Sequence, residues 1–171
     1  MNKVLDAPLA LEQESSVKFL PAFFVDVVDL GEEFKSGELP LHMSYFPPLQ
    51  TAFDARYADA ARRLINPMPP FTATVGKSDY FGDQHDIHVK RIESTPQVMV
   101  VHRALVAAMG YLSHDTRYRT PYSPHISVNE TDPRINTGDA IEMAGLSIVE
   151  KDPRRNTWKV MAKIGLKGEA T

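Results

Sequence analysis

Two short segments constrain this chain more than any others, His42-Met43-Ser44 and His125-Ile126-Ser127. Each places a histidine two positions before a serine, with an apolar residue between them. Each is entered through proline and apolar neighbours: Leu39-Pro40-Leu41 before the first, Pro121-Tyr122-Ser123-Pro124 before the second. The residue preceding a proline is held away from helical backbone, and both runs read as extended. In a strand, residues i and i+2 point the same way. His42 and Ser44 therefore share a face, as do His125 and Ser127, while Met43 and Ile126 turn into a core. The copies lie about half a chain length apart. That spacing predicts two related lobes, each offering one imidazole and one hydroxyl to a common cleft.

The remaining pattern predicts an α+β fold. Residues 22–28 are apolar and β-branched and read as a strand. Residues 31–40 read as a loop, and 42–46 as the strand carrying the first triplet. Residues 51–65 read as a helix with Thr51 as its cap: Phe53, Tyr57, Ala60, Ala61 and Leu64 recur at helical spacing. Strands are expected at 70–76 and 86–92. A second helix opens at Thr95-Pro96, with Val98, Val101, His102, Leu105, Ala108, Met109 and Leu112 as its stripe. Residues 113–122 form a basic, irregular approach to the second triplet. Strands at 140–150 and 157–166 complete the chain. Residues 1–16 are polar and unpatterned and read as an arm on a single bilobal domain spanning 17–171.

Composition narrows the function. With 171 residues the chain is long enough for a real core. It has no cysteine, so disulfides and cysteine-based zinc or nucleophile sites are excluded. No apolar run reaches membrane-spanning length, and the first residues lack a secretory pattern, so an intracellular protein is expected. A net charge of −3 gives no broad footprint for duplex DNA. A small nucleotide or a short RNA end suits that charge better. No phosphate-binding loop and no Gly-x-Ser-x-Gly elbow is present.

Two imidazoles and two hydroxyls suit acid–base chemistry on a phosphodiester. Histidine titrates near neutral pH, so one ring can start as base and the other as acid. Such transfers supply about 10²–10⁴-fold each. The serines would donate to the non-bridging oxygens, where charge develops. Which histidine is acid and which is base stays open. Arg117 and Arg119, just before the second triplet, are candidates to steady a phosphate. An ordinary solvated basic loop explains them equally well, and explains Lys90 and Arg91 better. Phe46 and Tyr122 are the candidate base-stacking residues; Tyr45 and Trp158 read as packed. His85 and His88, three apart on a strand, face opposite sides and make a poor metal pair. His102 reads as a core or boundary residue and His114 as surface.

The paired triplets resemble those of the two-histidine phosphoesterase superfamily, the 2′-5′ RNA ligase-like and cyclic phosphodiesterase proteins. The stretch Pro124-His125-Ile126-Ser127 is similar to that family's second motif. The first copy differs in its flank, Tyr45-Phe46-Pro47-Pro48, and both hydroxyls are serine where many members carry threonine. The resemblance implies a bilobal fold of antiparallel strands and helices around a central cleft. It implies a metal-independent phosphodiesterase without cofactor, acting through His42 and His125 on a 2′,3′-cyclic phosphate or a 2′-5′ linkage. It also leaves open a viral-type hydrolase of cyclic or 2′-5′ oligonucleotide messengers. A non-catalytic nucleotide-binding module is disfavoured, because both triplets are intact.

Overall fold

The computed structural model describes residues 16–93, 96–110, 112, 115–119, 121–128 and 134–169. The expected N-terminal arm and His114 lie almost entirely outside that set. Among the described residues, nine strands form one antiparallel sheet: β1 (Lys18–Phe24), β2 (Glu33–Lys35), β3 (His42–Ser44), β4 (Phe71–Phe81), β5 (Ile87–Ile92), β6 (His125–Ser127), β7 (Ala140–Met143), β8 (Gly145–Asp152) and β9 (Thr157–Gly165). Their order is β2-β9-β8-β1-β3-β6-β5-β4-β7. The two triplet strands, β3 and β6, are therefore neighbours at the middle of the sheet. Helices α1 (Ala55–Ile65) and α2 (Pro96–Met109) pack against one sheet face.

The lobes are not the two halves of the sequence. Strands β8 and β9 return to pair with β1, so the first lobe holds β1, β2, β3, β8 and β9, and the second holds β4 to β7. This return is why the expected strand at 140–150 is two strands. β7 pairs with β4 in the second lobe, and β8 pairs with β1 in the first. The chain crosses between them at Ala144. Gly145 then lies so close to β9 that a Cβ there would meet the Ile164 carbonyl at 2.7 Å. A side chain at this position would push the β8–β9 pairing apart.

The main core lies between the sheet and the helices. Phe23, Met43 and Ile126 from the central strands meet Tyr57, Ala61 and Ile65 of α1 and Val98, Val101 and Leu105 of α2. α1 begins at Asp54, whose carboxylate accepts from the Arg56 amide at 2.8 Å. An aspartate in extended backbone satisfies one of the helix's orphan amides. Thr51 therefore lies outside the helix, in the chain leading to it. Leu64, expected in the apolar stripe, is 44% exposed, and Ile65 is buried instead.

β1 starts and ends four residues earlier than its composition predicts. It is buried on both faces: Phe19 and Phe23 join the main core, and Leu20, Ala22 and Phe24 join a smaller cluster with Val149, Trp158 and Val160 on the opposite face. Val27, inside the expected strand, is 89% exposed. β2 falls within a stretch that reads as loop; three residues at a sheet edge leave no periodic signal. β4 runs past its expected end to Phe81, through an irregularity between Val75 and Ser78. That extension carries Phe81 to the central strands. Among the described residues, no helix is long and apolar enough to cross a membrane.

Candidate active site

The sheet face opposite the helices carries both triplets. β3 and β6 are antiparallel with Met43 opposite Ile126. That register sets His42 across from Ser127, and Ser44 across from His125. Side chains in such cross-strand pairs start about 4.5–5.5 Å apart at Cβ. Met43 and Ile126, with 1% and 0% exposure, fasten the triplets to the main core from beneath. The four polar side chains share the other face and form a compact quartet of two imidazoles and two hydroxyls.

Both rings are oriented by the same local device. His42 Nδ1 donates to the Pro40 carbonyl at 2.7 Å, and His125 Nδ1 donates to the Ser123 carbonyl at 2.8 Å. A carbonyl only accepts, so each Nδ1 bears its proton. Nε2 is then the nitrogen left to exchange a proton with a substrate. In both cases the acceptor lies two residues upstream. The extended backbone turns that carbonyl towards the ring edge, and this is a property of the local sequence in each triplet.

The surroundings of the rings differ. His42 lies opposite Phe24 of β1, with ring centroids 5.4 Å apart. Burial there holds its pKa below the usual histidine value; the Pro40 carbonyl opposes this, and the charge of His125 adds to the lowering. The edge-on neighbour of His125 is Phe81, at 4.6 Å. Arg91 of β5 lies opposite His125 in the sheet. Its guanidinium covers Phe81 at 5.1 Å, donates to the Ser123 hydroxyl at 3.2 Å and is held by Asp79 through Nε at 2.7 Å. Arg91 thus supports both contacts that orient the His125 ring: the Phe81 ring and the residue whose carbonyl takes the Nδ1 proton.

Cavities open on both sides of the quartet. One of about 410 Å³ is lined by Ser44, His125, Tyr45, Phe46, Phe81, His102 and Tyr122. The other, about 770 Å³, is lined by Ser127, Pro40, Glu38, Tyr80, His88 and Arg134 among others. The first is largely aromatic and apolar, and the second is more polar.

The outer candidates do not join the quartet. Arg117 is gripped by Asp115 through Nε and Nη2 and donates to the Pro48 carbonyl at 2.7 Å. Asp115 is held well below the usual carboxylate range by that guanidinium. Arg119 donates to the Tyr118 hydroxyl at 3.1 Å and lies over its ring. Neither arginine lines either cavity. Phe46 is only 3% exposed and packs edge-on against Phe19. β3 ends at Ser44, so strand alternation does not carry Phe46 to the face of His42. Tyr122 lies flat on His102, with centroids at 4.2 Å and planes 6° apart, and its hydroxyl donates to the Ser44 carbonyl. Its stacking surface is thus engaged within the protein. His88 packs beside Tyr80 rather than with His85, and among the described residues no group of three histidines, aspartates or glutamates is placed to hold a metal ion.

Sequence reasoning passed over three neighbours of the quartet. Phe81 lay in an expected loop, Arg91 read as an ordinary solvated residue and His102 as core. The alternation of β5 held a usable signal for Arg91, because Ile87, Val89 and Arg91 share a face. Nothing in the sequence registers β5 against β6.

The described residues thus form an antiparallel sheet with the paired His-x-Ser strands at its centre and two helices behind it. A family model of the 2′-5′ RNA ligase superfamily matches residues 32–161, and the chain belongs to that superfamily of two-histidine phosphoesterases. The fold is similar to that of TT0787 from Thermus thermophilus, with a TM-score of 0.61, 18% identity, and 90% of this chain and 100% of that one covered. It is also similar to E. coli LigT complexed with NADP+, with a TM-score of 0.56 and 13% identity over 88% of this chain and 98% of that one. LigT complexed with 3′-AMP matches at a TM-score of 0.53 and 13% identity, over 87% of this chain and 97% of that one. Comparison with curated protein sequences gives no match.

Proposed function

We propose that the chain is a metal-independent phosphodiesterase that cleaves a nucleotide phosphodiester, either a 2′,3′-cyclic phosphate or a 2′-5′ linkage. One observation carries this reading: both Nδ1 atoms are fixed as donors to upstream carbonyls, leaving a matched pair of Nε2 atoms on one face beside two serine hydroxyls. In hydrolysis of a cyclic phosphate, His42 Nε2 takes a proton from the attacking water. The new P–O bond forms as the bond to one ribose oxygen breaks. His125, starting protonated, gives its Nε2 proton to that oxygen. Ser44 and Ser127 donate to the non-bridging oxygens, where negative charge grows. His42 fits the base because burial favours its neutral form. In a linear 2′-5′ substrate, the neighbouring ribose hydroxyl replaces water as the group His42 deprotonates.

The nucleotide complexes of LigT support a nucleotide ligand. A cavity on each side of the quartet favours a substrate with a nucleoside on both sides of the scissile phosphate. That places 2′-5′ oligonucleotides, including messengers of the oligoadenylate kind, among the substrates to try first. The test is turnover, resolved by mass spectrometry, of 2′,3′-cyclic nucleotides, 2′-5′ oligoadenylate, and cyclic di- and trinucleotides. EDTA is present throughout, and the His42→Ala/His125→Ala double variant is the control. Turnover by the wild type alone is expected. Equal turnover by the double variant, or activity that needs added metal, rejects the scheme. Tight binding of one panel member without turnover replaces it with a binding module.

A further inference from the structure

The cavity beside His125 contains a polar group that phosphodiester cleavage does not use. His102, on α2, is 9% exposed and lines that cavity. Its ring makes no hydrogen bond with any described residue. The ring is thus a nearly buried polar group at the wall of the cavity. One flat side of the ring is covered by Tyr122 at 4.2 Å, which fixes the plane in which its nitrogens can bond. A buried polar group without a partner is unfavourable, and native structures rarely keep one.

The chemistry of the cavity narrows what fills it. Burial lowers the pKa of the His102 ring, and the charge of Arg103 lowers it further, which favours the neutral form. A neutral imidazole offers one donor and one acceptor, so it complements an edge that presents both. A phosphate would call for a cation, and an apolar group would leave the ring unsatisfied. The other walls are apolar, among them Phe46 and Phe81. About 410 Å³ lies within the range of small-molecule sites. Ser44 and His125 line the same space. A group lodged there lies next to the quartet.

We propose that this cavity is a nucleobase subsite and that His102 reads the hydrogen-bonding edge of the base. The position of the phosphate rests on the phosphodiesterase reading above; the recognition of the base is tested without turnover. The probes are the four nucleoside 3′-monophosphates and a base-free ribose 3-phosphate, with affinities measured by calorimetry. The preferred nucleotide should bind the wild type at least about tenfold tighter than the base-free sugar phosphate. His102→Phe keeps a flat ring against Tyr122 and removes the nitrogens. It should weaken the preferred nucleotide by about tenfold and shrink the spread among bases to within about threefold. The His102 ring-nitrogen resonances of the wild type should shift with the preferred nucleotide and stay in place with the base-free sugar phosphate. Equal affinity for nucleotide and base-free probe, or an unchanged spread in His102→Phe, overturns the proposal. If that variant does not fold, unmoved His102 resonances in the wild type overturn it. Base-dependent binding that persists while the quartet proves inactive rejects the phosphodiesterase reading alone.

Discussion

His42 and His125 each give the Nδ1 proton to a carbonyl two residues upstream, Pro40 at 2.7 Å and Ser123 at 2.8 Å, yet they sit in different surroundings. His42 belongs to the first lobe, opposite Phe24 and beside the small cluster that Trp158 completes. His125 belongs to the second lobe, against Phe81, with the Asp79–Arg91 pair behind that ring. Local backbone makes the two rings alike, and tertiary packing makes them unlike. The proposed reaction asks for one neutral and one protonated ring, and this combination suits it. The shared orientation leaves Nε2 of each ring free, while burial lowers the proton affinity of His42.

The largest test of the comparison removes the rings one at a time. His42→Ala and His125→Ala should each lower kcat/KM by about 10⁴-fold, the upper end for a positioned proton transfer, with melting temperature little changed. Retention of full activity by either variant would show that its ring plays no part in the chemistry. Ser44→Ala and Ser127→Ala come next, at about 10²-fold each, because each removes one donor to the developing charge. Arg91→Ala should be smaller still, lowering kcat by about tenfold, since it loosens the His125 ring without removing it. Arg91→Lys should recover little, because an ammonium cannot lie flat on Phe81 while bonding both Asp79 and Ser123. A rise in KM with kcat intact would instead mark Arg91 as a substrate contact.

The quartet was legible in sequence because both of its causes are local: period-two alternation, and the proline-bounded runs that hold His42 and His125 extended. The α+β class and both helices followed from similar short-range signals. What surrounds the quartet was not legible, because it depends on which strands become neighbours. Arg91 reaches His125 only through the β5–β6 register, in which Arg91 pairs with His125. Phe81 does so only because β4 continues through its irregularity at Val75 and Ser78. Phe46 was misplaced for the converse reason: β3 ends two residues before it, and period-two alternation ends with the strand. The expectation that each half of the sequence forms a lobe failed because β8 and β9 return to β1, a long-range pairing that no spacing records.

The smallest expected effect is on stability, and its sign follows from the burial of His42. The folded state lowers the pKa of this ring below its ordinary value of about 6.5. The unfolded chain therefore binds a proton at His42 over a range where the folded chain does not. Stability from this ring is complete above about 6.5 and is lost as the pH falls below that value towards the folded pKa. Thermal unfolding between pH 8 and pH 5 should show the wild type losing more stability on acidification than His42→Ala, as groups that titrate alike in both cancel in the difference. His125→Ala should shrink that difference slightly, since the charge of His125 is the last and smallest cause of the lowering. Phe24→Ala should shrink it further by admitting water to the ring, and should move the acidic limb of the kcat/KM profile upward in pH. A limb that stays in place would mean that His42 is not the base whose protonation stops the reaction, and the roles of the two rings would have to be exchanged.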